Sequence, residues 1–182
     1  TDSGLLIFPD QLQLLEYKYS MDRKNPVFID KTQKNIVLDH FLITQDSMQI
    51  VLDGNPNAFD IKLRNADLTH LNYLLSRDTT IINKGRLNGN VSFSQDRQLN
   101  IHAAIDSLRL YNSNPFSVTA TAVRNENQVP FEFHLTNEAN KIDLNGAYSP
   151  DNAEVDASLL LDVQNLELFA FLLTGVFERM NG

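Results

Sequence analysis

The chain has 182 residues, of which 42% are hydrophobic, and its formal net charge is −8. This length and apolar content are sufficient for a sizeable core, whereas the acidic charge excludes a protein that binds nucleic acid through its phosphates. Because the sequence contains no Cys, it also excludes disulfide bonds, thiolate metal sites and Cys nucleophiles.

The sequence has no run of 18 apolar residues, the length that indicates a membrane-spanning helix. It begins at Thr1, without an initiator Met or a signal-peptide pattern. We therefore expect the whole of 1–182 to be one fragment of a longer protein, with any membrane anchor outside it.

Apolar and polar residues alternate over most of the chain, which is typical of strands with one buried face. Short segments rich in Asn, Asp, Ser and Pro separate the alternating stretches, as in antiparallel connections. About ten strands are predicted in chain order, near residues 26–30, 35–44, 48–52, 59–63, 87–93, 99–105, 116–122, 129–135, 142–144 and 155–163. Since so many strands cannot stay flat, the sheet must curl or split into two packed layers.

Two segments have apolar residues at helical spacing instead. The first, at about 67–76, contains Leu68, Leu71, Leu74 and Leu75, and the second, at about 166–178, contains Leu166, Phe169, Leu172 and Leu173. We predict a short amphipathic helix in each. The predicted fold class is therefore mainly all-β, an antiparallel sheet that curls or splits into two layers, with two short amphipathic helices at about 67–76 and 166–178.

A Leu-Asx-Gly pattern recurs at residues 52–54, 87–89 and 144–146, and as Met-Asn-Gly at 180–182. The first two glycines are 35 residues apart and the last two are 36 apart. This spacing predicts an internal repeat, at about 48–89 and 140–182, whose second copy ends within a unit.

The glycines of this pattern have two interpretations. Asp-Gly and Asn-Gly are strong signals for type I′ hairpin turns, but a Gly inside an alternating strand marks a bulge or a sharp bend. We favour the bend or bulge, and either interpretation gives the glycine a geometric role.

The order of these elements resembles the periplasmic region of the TamB family (translocation and assembly module) and, more distantly, the AsmA-like proteins of diderm bacteria. The resemblance covers roughly residues 27 to 182 and is carried by such segments as "FDIKLRNADLTHLNYLL", "NKGRLNGNVSFS", "NKIDLNGAYS" and "LLLDVQNLELFAFLL". It implies a periplasmic part of a protein anchored in the inner membrane, with repetitive strands that form a long, strongly curved antiparallel sheet of trough-like or "taco" shape with an apolar lining.

The resemblance also implies a function, the transport of phospholipid between the inner and outer membranes and support of outer-membrane assembly. The implied partners are phospholipid acyl chains, neighbouring repeats of the same chain, and an outer-membrane barrel protein that would bind a C-terminal region missing here. We predict that the lipid groove is lined by Leu87, Val91, Phe93, Ile101, Phe116, Val118, Phe131, Phe133, Ile142 and Leu144.

Two alternatives remain open. The apolar faces could seal against each other in a β-sandwich or barrel that acts as a scaffold or protein-interaction module in the envelope. A carbohydrate-active domain is a third hypothesis, which the absence of Trp disfavours.

The sequence contains no pattern that indicates a metal site or catalysis. The four His residues lack metal-ligand spacing. The segment that starts at Asp53 begins like a calcium loop but has Ala58 and Arg64 where Gly and Glu are required. We therefore expect no enzyme, with no catalytic residues, no cofactor and no metal.

Overall fold

The computed structural model describes residues 4–14, 17–32, 34–75, 80–95, 98–111 and 113–164. Within these residues the chain forms one open sheet of 13 strands, and every pairing is antiparallel. The strands are β1 (Gly4–Ile7), β2 (Gln11–Leu14), β3 (Tyr17–Met21), β4 (Val27–Asp30), β5 (Asn35–Gln45), β6 (Met48–Asn55), β7 (Ala58–Asp67), β8 (Ile82–Phe93), β9 (Leu99–Leu110), β10 (Phe116–Val123), β11 (Val129–Thr136), β12 (Asn140–Ser149) and β13 (Glu154–Val163). The predicted antiparallel β class is confirmed.

From β4 to β13, strands that follow each other in the chain lie side by side in the sheet. These are the ten strands that the alternation predicts. Three further short strands were not predicted: β1 pairs with β4, while β2 pairs with β3, which joins β5 through Ser20 and Met21. All described strands thus belong to one open sheet.

The two predicted amphipathic helices are not confirmed. Between β7 and β8 the structure has a 3-10 turn at Leu68–Leu71 and a single α-helical turn, α1, at Asn72–Leu75. Leu68 is buried, whereas Leu71, Leu74 and Leu75 are 42%, 74% and 55% exposed, so the apolar spacing does not produce one buried helical stripe. The second predicted helix, at about 166–178, lies outside the described residues.

Strands β5, β7 and β9 each contain a bulge at which the pairing register shifts. The bulged residues are His40, Asn65 and Ser107, which have left-handed φ angles of 48°, 52° and 53°. A bulge bends its strand and increases the local twist. Since these three strands alternate in an antiparallel sheet, they run in the same direction, and their bulges act together on its curvature.

The Asx residue of the repeated pattern holds the first two bulges in place. Asp53 Oδ1 accepts the backbone N–H of His40 at 2.5 Å, and Asn88 Oδ1 accepts that of Asn65 at 2.9 Å. A bulge removes a backbone group from the regular ladder, and a buried N–H without a partner is destabilising. The Asx side chain of Leu-Asx-Gly therefore accepts the backbone N–H of the bulged residue on the neighbouring strand, which the regular ladder leaves without an acceptor.

In the three described copies, Gly54, Gly89 and Gly146 lie inside strands, as the bend or bulge interpretation predicts, so the hairpin-turn interpretation is wrong for them. The fourth copy, at 180–182, lies outside the described residues. Gly54 has a φ of 125°, and a Cβ at Gly89 would lie 2.5 Å from the carbonyl oxygen of His102. In the third copy, Gly146 lies opposite Phe131, and a Cβ there would be 2.7 Å from the Phe131 ring. In two copies the Asx residue thus accepts a hydrogen bond from a bulged residue, an arrangement that we call the clamp. In the third copy the glycine leaves space for the Phe131 ring.

The clamp predicts unequal effects of two chemically identical substitutions. Asn88→Ala should lower the free energy of unfolding by about 1–2 kcal/mol, because it leaves the half-buried Asn65 N–H without its acceptor. Asn145→Ala, in the third copy, changes an exposed side chain and should have an effect below about 0.5 kcal/mol. Urea denaturation of both variants measures this difference, and equal effects would contradict the clamp.

Candidate functional site

The sheet presents two adjacent rows of apolar or small residues, with one residue of each row on every strand from β5 to β13. Residues directly opposite each other in an antiparallel pair point to the same face. Row 1 consists of Ile43, Ile50, Leu63, Gly89, Ala103, Ala120, Phe133, Leu144 and Leu159. Row 2 consists of Phe41, Leu52, Ile61, Val91, Ile101, Ala122, Phe131, Gly146 and Ala157. Neither row contains a polar side chain.

A third row on this face extends from β7 to β13. Row 3 consists of Ala66, Leu87, Ile105, Val118, Leu135, Ile142 and Leu161. In the middle of the sheet, row 1 has only Gly89, Ala103 and Ala120, while row 3 has Leu87, Ile105 and Val118 there and row 2 has Val91, Ile101 and Ala122. The small residues of row 1 therefore form the floor of a furrow with larger side chains on both sides at β8 and β9, and on the row 3 side alone at β10.

All ten residues predicted to line the groove lie on this one face. Eight belong to rows 1 to 3, and the other two, Phe93 and Phe116, follow from the alternation along β8 and β10. Phe116 and Val118 are buried, Phe93 is 44% exposed, and the remaining seven are half-buried. The described residues thus leave most of the predicted lining in partial contact with solvent.

The furrow floor was not among the predicted lining residues. Ala103 and Ala120 occupy apolar positions in alternating strands, but their size gives no signal until the pairing register places them beside Gly89. Leu159 and Leu161 were also missed, although they continue rows 1 and 3 on β13.

One end of the apolar face is covered by the helical turns. Leu68 packs into a buried cluster that consists of Leu68, Ile82, Leu108, Phe116 and Val118. The Asn72 side chain fixes these turns to the start of β8, because its Oδ1 accepts the N–H groups of Ile81 and Ile82 at 2.9 and 2.7 Å and its Nδ2 donates to the Ile82 carbonyl. This end of the strands is the closed side of the face.

The opposite face is mainly polar. Along each strand, one residue lies between the row 1 and row 2 residues and points to this opposite face. These residues include Lys62, Asn90, His102, Thr121, Glu132, Asn145 and Ser158. On the same face, His134 Nδ1 lies 2.8 Å from one oxygen of Asp143, and Lys141 Nζ lies 2.7 Å from the other. The hydrogen bond to Asp143 raises the pKa of His134, and hydrogen bonds from Lys141 and His134 lower the pKa of Asp143.

One group in the described part of the chain has donor atoms close enough to hold a metal ion, namely Asp39, His40 and Asp53. Sequence spacing does not reveal it, because the pairing of β5 with β6 brings Asp53 to His40. His40 Nδ1 lies 2.9 Å from Asp53 Oδ1, the oxygen that also accepts the His40 backbone N–H. These hydrogen bonds at the bulge account for the arrangement without a metal.

Comparison with models of protein families finds no match to this chain, and no curated protein or solved structure matches it. Among the residues that the structure describes, no helix has the length and apolarity needed to cross a membrane.

The ion pair of His134 predicts a pH-dependent contribution to stability. Since the pKa of folded His134 is raised, its contribution is complete below the unfolded pKa of about 6.5 and is lost as the pH rises through the folded value. The difference in free energy of unfolding between the parent and His134→Gln should therefore be larger at about pH 5.5 than at about pH 8.5.

Urea denaturation at both pH values measures this effect. His102→Gln is a matched control, because His102 is exposed and forms no ion pair within the described ranges. A His134→Gln effect that stays constant across this pH range would contradict the prediction.

Proposed function

We propose that this chain is a non-enzymatic periplasmic segment of a TamB-like or AsmA-like protein that spans the envelope of a diderm bacterium. Its apolar face carries phospholipid acyl chains between the inner and outer membranes and so supports outer-membrane assembly. The observation that carries the proposal is the continuity of rows 1 and 2, which cross nine strands without a polar side chain.

The dimensions of these rows fit acyl chains. Nine strands have eight gaps of about 4.8 Å, which gives each row a length of about 38 Å. One leaflet of a bilayer contributes about half of the 30 Å hydrocarbon thickness, so an acyl chain needs about 15 Å. Two chains therefore fit end to end, and the furrow over Gly89, Ala103 and Ala120 lets a chain approach the backbone closely.

The chemistry of the face suits transport. Burial of a methylene group stabilises a complex by about 0.8 kcal/mol and has no directional requirement. A chain that moves by one strand exchanges one set of apolar contacts for an equivalent set, so the free energy changes little along the row. No single residue is then indispensable, and the headgroup stays in solvent.

The partial exposure of the lining residues supports an open track rather than a sealed core. A scaffold with sealed faces would bury these side chains, yet seven of the ten are half-buried. We include in the proposal an inner-membrane anchor outside this segment, neighbouring repeats of the same chain, and an outer-membrane barrel partner.

Crosslinking from two adjacent residues tests the proposal. A photoreactive amino acid at Leu144, in row 1, should label the acyl chains of phospholipid when the purified chain is incubated with phosphatidylethanolamine vesicles. The same amino acid at Asn145, on the opposite face of β12, should label them much less. Equal labelling at both positions would contradict an acyl track on the apolar face.

A second experiment separates an open track from a sealed core. Ala120→Leu adds methyl groups to the furrow floor, which would destabilise a sealed core by about 1–3 kcal/mol. On an open face the effect on the free energy of unfolding should be below about 0.5 kcal/mol, while binding of acyl chains should weaken because the furrow is filled. Thr121→Leu, on the opposite face, is the control, and a destabilised Ala120→Leu variant would favour the scaffold alternative.

A further inference from the structure

The polar face has a cavity of about 440 Å³ beside the bulge of β7. This volume lies within the range of small-molecule sites. Its lining consists of Leu63 and Gly89 from row 1 and of six polar residues, Lys62, Arg64, Asn65, Asn88, Asn90 and His102. The cavity lies on the side of the sheet away from the apolar rows, because each of Lys62, Asn90 and His102 is flanked along its strand by residues of those rows.

The pairing register brings these groups together from three strands. Lys62 lies directly opposite Asn90, which lies directly opposite His102. Arg64 follows two residues after Lys62 and therefore points to the same face. Sequence spacing does not indicate such a site, since its residues come from β7, β8 and β9.

Two cationic side chains line the cavity, although the whole chain is acidic. Lys62 Nζ lies 2.9 Å from Asp60 Oδ2, and the charge of Asp53 also acts on Lys62. Arg64 is exposed and forms no ion pair within the described ranges. The Arg64 guanidinium is therefore the cation of the cavity that remains available for a ligand.

The amide orientation adds a hydrogen-bond donor. Asn88 Oδ1 is occupied by the N–H of Asn65, so the Asn88 group that remains for a ligand is the Nδ2 amide, which donates. Guanidinium and ammonium groups donate as well. A ligand that matches these groups must be rich in hydrogen-bond acceptors and carry negative charge.

We propose that this cavity binds a phosphate ester. The planar guanidinium of Arg64 holds two phosphate oxygens in a fork, Lys62 acts as the second cation, and Asn88 and Asn90 contact the uncharged remainder of the ligand. A phosphate group alone would leave most of the cavity empty, which favours an ester over the free ion. The side chains that would hold the ligand lie on the face opposite the acyl-chain track.

Calorimetric titration with glycerol 3-phosphate at low ionic strength tests the proposal. Binding should be saturable and should weaken roughly tenfold in Arg64→Gln, which removes the charged fork. Arg109→Gln is the matched control, because Arg109 is also exposed and lies outside the cavity lining. Urea denaturation verifies that both variants remain folded.

A third variant should act in the opposite direction. Asp60→Asn removes the carboxylate that pairs with Lys62, so binding should tighten severalfold. Equal weakening in both Arg variants would indicate attraction by overall charge and overturn the site, as would the absence of saturable binding by the parent chain.

The source of the ester is distinguished by a sedimentation assay with phosphatidylglycerol vesicles. Cosedimentation that is lost in Arg64→Gln would identify a lipid headgroup as the ligand. Glycerol 3-phosphate binding without cosedimentation would identify a free ester, and both results support the phosphate site.

Discussion

The structure depends on one constraint, an apolar face on a sheet that has a single layer. Removal of each large apolar side chain from water is worth about 1.5–3 kcal/mol, but the described strands form no second sheet that could provide this burial. The sheet has to bend around its own face, and the helical turns after β7 have to cover one end of it. The bulges at His40, Asn65 and Ser107 supply bending on alternate strands, which explains why residues other than glycine hold left-handed conformations there.

The clamp of Asn88 on Asn65 connects the two faces. On the apolar side, the next residue is Gly89, whose lack of a side chain brings the backbone of β9 close and begins the furrow. On the polar side, the same clamp fixes the donor side of the Asn88 amide and places Asn65 at the wall of the cavity. One backbone irregularity thus shapes both the apolar furrow and the cavity lined by Lys62 and Arg64, although the two proposals are tested separately.

The order and pairing of most strands could be predicted because they depend on residues that are close to each other in the sequence. Each strand from β4 to β13 carries a period of two or lies between short turns, and neighbours joined by short turns must pair. The rest depends on contacts distant in sequence. The strand Gly4–Ile7 has no alternation, and the acceptor of the bulged Asn65 N–H is Asn88, which is 23 residues further along the chain. In the predicted helix at 67–76, the described residues form a 3-10 turn and one α-helical turn, and Asn72 is hydrogen-bonded to the start of β8, a contact that leucine spacing cannot reveal.

Burial on the apolar face changes along the strands, and this gradient gives the proposed track an orientation. The side chains next to the helical turns are the buried cluster around Phe116. At the other ends of the strands, Phe93 and Tyr148 are 44% and 37% exposed while Phe59, Leu99 and Val129 are half-buried, and β13 is exposed along almost its whole length. An acyl chain on rows 1 and 2 lies between these limits. Its polar end would meet water at the exposed side, where the Tyr148 ring can contact apolar groups while its hydroxyl faces the solvent. The position of the helical turns therefore determines which side of the apolar face is closed and which is open. On the open side, the headgroup would remain hydrated while the acyl chain moves across the strands.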